Sequence, residues 1–137
     1  MGNTKYILAL DQGTTSSRAI IFDISGSIKS ISQQEFGQLF PEPGWLEHDP
    51  MEIWNTQLKV ARDVLSNCGI SGADILAIGI ANQRETVVVW DRFSGKPVYN
   101  AIVWQDRRTS PFCEYINGSG LSDLITSKAG LVVDLYF

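Results

Sequence analysis

At 137 residues, 44% of them hydrophobic and 19% charged, the chain has the length of one domain and the composition of a folded globule, which excludes disorder and low complexity. A net charge of −4, with lysines and arginines scattered along the chain, provides no basic field to attract nucleic acid or anionic lipid. Cys68 and Cys113 lie far apart and His48 is the sole histidine, so neither a zinc site nor a disulfide framework is expected, and both cysteines read as structural.

Residues 1–5 lead into a short apolar run, Tyr6-Ile7-Leu8-Ala9-Leu10, too brief for a membrane span and without the small-residue pattern of a signal peptide. Tyr6 also breaks the myristoylation pattern that Gly2 would begin, so the expectation is a cytoplasmic protein with no membrane span. The first third predicts an antiparallel meander, with strands near residues 6–10, 18–23 and 28–36 and a turn at Ser25-Gly26-Ser27. Its first connection, Asp11-Gln12-Gly13-Thr14-Thr15-Ser16-Ser17-Arg18, is polar throughout. Backbone N–H groups, four hydroxyls and the Arg18 cation there would suit a phosphate, Gly13 permits close backbone approach, and Asp11 is a hard oxygen ligand suited to Mg²⁺ or its water. The same residue types also make ordinary β-turns, and the loop alone does not choose.

Two prolines and a glycine in residues 40–48 predict an irregular surface loop of no readable function. Asp49-Pro50-Met51-Glu52 announces a helix, with Asp49 as N-cap, Pro50 at the first position and Glu52 placed for a capping box. Trp54, Leu58, Ala61 and Leu65, flanked by Ile53, Val60 and Val64, give that helix an apolar face, and Gly69 ends it. The unbroken run Ile75-Leu76-Ala77-Ile78-Gly79-Ile80-Ala81 then predicts a strand covered on both faces at the centre of a mixed α/β sheet, parallel because a helix precedes it. Further strands are expected near residues 86–91 and 98–104, with helices over 106–117 and 121–129.

Polar residues follow two apolar runs abruptly. Asn82-Gln83-Arg84-Glu85-Thr86 stands at the carboxyl end of the expected central strand, where ligands of open α/β sheets gather. Arg84 and Glu85 would suit the adjacent hydroxyls of a small polyol, or else form an exposed ion pair on a turn. Trp104-Gln105-Asp106-Arg107-Arg108 follows Ile102-Val103. Trp104 offers a flat apolar face to a ligand's carbons, while Asp106 reads as a helix N-cap and the two arginines as a solvated face without an assigned role.

Taken in order, the segments at residues 10–18, 43–50, 82–86 and 100–109 resemble the glycerol kinase branch of the carbohydrate-kinase family, and the likeness spans the whole chain. The resemblance implies a ribonuclease H-like fold of the actin-like ATPase and hexokinase type, with a mixed five-stranded sheet and helices. Residues 1–137 would be an incomplete N-terminal domain whose partner domain is absent. The implied activity is ATP-dependent phosphorylation of glycerol to sn-glycerol 3-phosphate by a larger, homo-oligomeric parent, with ATP and Mg²⁺ as cofactors and with the fragment alone inactive. Asp11 would help hold the metal, while Thr14, Thr15, Ser16 and Arg18 would contact nucleotide or product phosphate. Arg84, Glu85, Trp104 and Tyr136 would surround glycerol. Leu135 stands where the family usually carries proline, which bears on the placement of Tyr136. The aspartate serving the family as general base would lie beyond Phe137. A related pentulose or erythritol kinase, and a nucleotide-switched module like actin or Hsp70-type chaperones, are the alternatives.

Overall fold

Alternation and turn chemistry shape the opening third of the chain. In the computed structural model, which describes residues 5–136, β1 (Tyr6–Gln12), β2 (Ser16–Asp23) and β3 (Ile28–Glu35) pair as the expected antiparallel meander. Gly26, at φ 84°, takes the left-handed turn position, and Asp23 gathers the N–H groups of Ser25 and Ser27 on one carboxylate oxygen. Residues 1–4 and Phe137, on which the readings of the N-terminus and of the chain end fall, lie outside the described residues.

The helix announced at Asp49-Pro50 is α1 (Pro50–Asn67). Gly69 ends it at φ 64°, with the Ile70 N–H reaching back to the Leu65 carbonyl at 3.0 Å. A single 3₁₀ turn, capped reciprocally by Ser71 and Asp74, then delivers the chain into β5 (Ile75–Ala81), which runs parallel to β1. The core joins Leu8, Ala19 and Ile21 of the sheet to Val60 and Val64 of α1. The buried line of α1 is thus Thr56-Val60-Val64, rotated from the expected face, and Trp54 is 60% exposed. Apolar residues occupy a wide arc of this helix, and the part that docks is the part carrying small β-branched side chains onto the flat face at Ala19.

Two expectations are corrected. Strand order in the sheet is β3-β2-β1-β5, so the described residues supply four strands rather than five, and β5 lies at an edge rather than in the centre. Leu76, Ile78 and Ile80 are exposed along it. An unbroken apolar run reports what a strand is able to bury, not whether this stretch of chain supplies the cover.

These elements form one compact unit, residues 5–37 and 50–83; a second comprises residues 38–49 and 84–136. In the second, β4 (Glu47–His48) pairs antiparallel with β6 (Ala101–Ile102), within a loop expected to be irregular. Residues 86–91 and 97–100 form only isolated bridges, Val87 with Ile102 and Trp90 with Pro97. Helices α2 (Ser110–Gly118) and α3 (Ser122–Ala129) follow. Among the described residues no helix is long and apolar enough to cross a membrane. Both cysteines are free thiols.

Candidate active site

The polar connection in the first unit is a tight hairpin tip. Gly13 N–H closes it on the Ser16 carbonyl at 3.0 Å, and a Cβ at Gly13 would come within 3.2 Å of that same oxygen. Register sets Asp11 opposite Arg18 and Gln12 opposite Ser17. Arg18 lies 3.9 Å from the Asp11 carboxylate and donates through Nε to Gln33 Oε1, so its half-exposed guanidinium is held along the ribbon. Ser16 Oγ accepts from Gln33, and Thr15 is exposed at the tip. Asp11, Thr14, Thr15, Ser16 and Arg18 thus all belong to one hairpin, as expected. Ser17 does not belong with the donors: fully buried, it donates to Gln12 Oε1 and sits 2.9 Å from Thr56 Oγ1 of α1, fastening the ribbon to the helix. Period-2 alternation points its side chain inward, opposite to Ser16 and Arg18.

In the second unit, Arg84 and Glu85 form an exposed turn. Glu85, at φ 55°, is the one non-glycine among the described residues in left-handed backbone, a conformation held at a cost of order 1 kcal/mol and often found where a side chain is aimed for use. Two residues on, Val87 bridges Ile102, which leads into Trp104. The Trp104 and Tyr136 rings meet edge to face with centroids 5.1 Å apart, and both line a pocket of about 450 Å³ together with Arg107 and Asp134. Tyr136 N–H is anchored on Asp134 Oδ1 at 3.0 Å, so Leu135 in place of proline does not prevent the ring from reaching Trp104. Arg84 and Glu85 are not among the residues lining that pocket.

The reading of Asp106 and Arg108 is corrected, while Arg107 is exposed as expected. Asp106 caps no helix; α2 begins at Ser110 behind Thr109. Asp106 is buried, and Arg108 grips it as a fork, Nε to Oδ1 and Nη2 to Oδ2, both at 2.9 Å. The same Nη2 lies 2.7 Å from Oε1 of buried Glu47, and the guanidinium stacks 3.8 Å from the centroid of Trp45. Tyr99 donates to the same Oε1 of Glu47 and Asn100 to its Oε2. Burial pushes the Glu47 carboxyl up, but hydrogen bonds from Asn100, Arg108 and Tyr99 outweigh it and hold the group below its ordinary value. Asp106 shows the same balance, burial against bonds from Arg108 and the Leu46 N–H. Arg108 is raised, chiefly by its bond to Asp106. The available signal was Glu47 beside Trp45 and Leu46 in a proline-rich loop; the partners of this carboxylate stand 52 to 61 residues away.

A sheet of three antiparallel strands and a parallel one, backed by a crossover helix and opening on a hydroxyl-rich hairpin, marks the actin-like ATPase class, and the structural relatives have this fold. Residues 6–137 match the N-terminal domain model of the FGGY family of carbohydrate kinases, and the chain belongs to that family. It is 62% identical over 133 residues to a glycerol kinase of Chromobacterium violaceum and 59% identical to one of Paraburkholderia phymatum, in each case covering 97% of this chain and 27% of the relative. The crystal structure of Plasmodium falciparum glycerol kinase with ADP is similar at a TM-score of 0.86 and 34% identity, over 98% of this chain and 27% of that one. A gluconate kinase from Lactobacillus acidophilus, at a TM-score of 0.85 and 23% identity, shares the fold. The chain therefore spans about a quarter of the length of these relatives.

Proposed function

We propose that the chain is the N-terminal, ribonuclease H-like domain of a two-domain kinase that transfers the terminal phosphoryl of MgATP to a primary hydroxyl of glycerol, giving sn-glycerol 3-phosphate. Family membership and the 62% identity to a glycerol kinase support this reading. The structural observation that carries it is the Trp104–Tyr136 pair, which offers two aromatic surfaces at a pocket of about 450 Å³, ample for a triol.

Phosphoryl transfer asks the protein for positioning and charge neutralisation more than for covalent chemistry. Thr14, Thr15, Ser16 and Arg18, with the hairpin's N–H groups, take the phosphate oxygens. Arg84 and Glu85 bond the polyol's hydroxyls, as donor and acceptor respectively, while Trp104 and Tyr136 pack against its carbons. Asp11 suits magnesium: it is a half-exposed carboxylate at the end of β1, and this ion uses one or two protein carboxylates and draws its other ligands from phosphate and water. When bound there, the ion supplies positive charge against the phosphates. Proton removal from the attacking hydroxyl falls to an aspartate outside this chain, so the 137 residues alone turn over negligibly. The parent works as a cytoplasmic homo-oligomer.

The decisive assay is glycerol-dependent ATP consumption by the full-length protein, run beside a panel of erythritol, xylulose and ribulose. Glycerol is expected to give the highest kcat/KM. A preference for a pentulose moves the protein to a sister sugar kinase, and ATP consumption indifferent to every polyol makes it a nucleotide-switched module.

A further inference from the structure

Trp104 and Gln105 occupy the two central positions of a turn that Asp106 N–H closes on the Val103 carbonyl at 2.8 Å. A single residue holds both ends of that turn. The Leu46 carbonyl accepts from Val103 N–H at 3.1 Å, and Leu46 N–H donates to Asp106 Oδ2 at 2.7 Å. One residue further along, Arg107 N–H reaches the Gly44 carbonyl at 2.9 Å. Residues 44–47 are therefore a template on which residues 102–107 are laid, and Arg108 locks the two together through Asp106, Glu47 and the Trp45 ring.

The chemistry of this lock is costly for mere stability. Two carboxylates share one guanidinium out of water, and such a cluster is often no better for stability than well-packed apolar side chains. What it does provide is direction. A forked Arg–carboxylate pair fixes distance and plane together, and Tyr99 and Asn100 add a further bond to each oxygen of Glu47. The group with most to gain from fixed direction is the tip of the turn, and that tip carries the half-buried Trp104.

We propose that Glu47, Asp106 and Arg108 are positioning residues that set the Trp104 ring against Tyr136, so that polyol affinity and selectivity depend on a buried ionic cluster that itself touches no substrate. The inference rests on the assignment of Trp104 to the polyol site.

The test is a kinetic double-mutant cycle on the full-length protein with Trp104→Ala, Arg108→Lys and the pair, with Asp106→Asn in place of Arg108→Lys should that variant not fold. Lysine keeps the charge but loses the fork. A misplacement of about 1 Å at a binding surface costs up to ~100-fold, so Arg108→Lys is expected to raise glycerol KM about tenfold and to narrow the preference for glycerol over erythritol. KM for ATP should stay within about twofold, and in the Trp104→Ala background Arg108→Lys should add almost nothing. A purely structural cluster would lower the unfolding midpoint and leave the polyol preference unchanged, which overturns the inference. Full additivity in the double variant overturns it as well. If Trp104→Ala itself leaves glycerol KM unchanged, the polyol assignment fails and carries the inference with it. If Trp104→Ala raises KM while folded Arg108→Lys does not, only the inference fails.

Discussion

Ser17 of the hairpin and Thr56 of α1 face each other with their hydroxyl oxygens 2.9 Å apart, in a place closed to water. Thr56 can also donate to the carbonyls of Glu52 and Ile53, and Ser17 is committed to Gln12, so the pair links the tip of the ribbon to the first turns of the helix. Ser17→Ala strands Gln12 Oε1 and should cost about 1–3 kcal/mol. Thr56→Ser keeps the hydroxyl and should cost less than Ser17→Ala. Denaturant unfolding of both variants checks the order; equal losses would mean that packing of the Thr56 methyl, not the hydroxyl pair, does the fastening.

Helix α1 rests on a flat place in the sheet. Ala19 is fully buried opposite Val60 and Val64, leaving no room for further methylenes. Ala19→Leu should destabilise by about 1–3 kcal/mol through overpacking. Trp54→Ala, by contrast, removes a large ring that is mostly in solvent and should change stability by under about 1 kcal/mol. Thermal unfolding of the two variants side by side tests which face of the helix is docked.

Acid should loosen the second unit through Glu47 and Asp106. Both carboxyls are held below their ordinary values in the folded protein, so protons bind the unfolded chain more readily. Their contribution is complete above the ordinary carboxylate range, about pH 4, and is lost as pH falls through the lower folded values. Asp23 and Asp91, held down by Lys29 and Ser94 respectively, add acid sensitivity of their own. The diagnostic is therefore a difference: Glu47→Gln should start from a lower midpoint at pH 7 and lose less of it between about pH 5 and 3. Parallel curves for variant and parent would mean that folding leaves the Glu47 carboxyl at its ordinary value.

The parts legible in the sequence were those decided locally. Alternation at residues 6–36, the Asp49-Pro50 start of α1 and its glycine stop at Gly69 are settled by neighbours within a few positions, and the structure has them. The hairpin's polar set was legible for the same reason, except that alternation turns Ser17 inward. What was not legible depends on partners remote in sequence. Asp106 and Arg108 look like a cap and a wet face until Leu46 and Glu47 are brought to them. The run 75–81 looks like a central strand because its own residues say nothing about what covers them.

Asp11 allows structure and chemistry to be separated by a single atom. Its link to Arg18 is long, at 3.9 Å, with both side chains more than two-fifths exposed, and such a pair contributes little, about 0–1 kcal/mol. Asn fills the same volume at the same place in β1, so Asp11→Asn should leave the unfolding midpoint almost unmoved. If Asp11 helps hold the nucleotide's magnesium, the full-length variant should nevertheless lose about 100-fold or more in kcat, with only a modest change in glycerol KM, because charge neutralisation matters most as the phosphoryl group moves. Raising the magnesium concentration should recover part of the loss if metal affinity is what fell. Steady-state kinetics at two or three magnesium concentrations, beside a thermal melt, give the outcome. A variant with normal kcat removes Asp11 from the metal site, and one that melts early marks it as a strut of the hairpin.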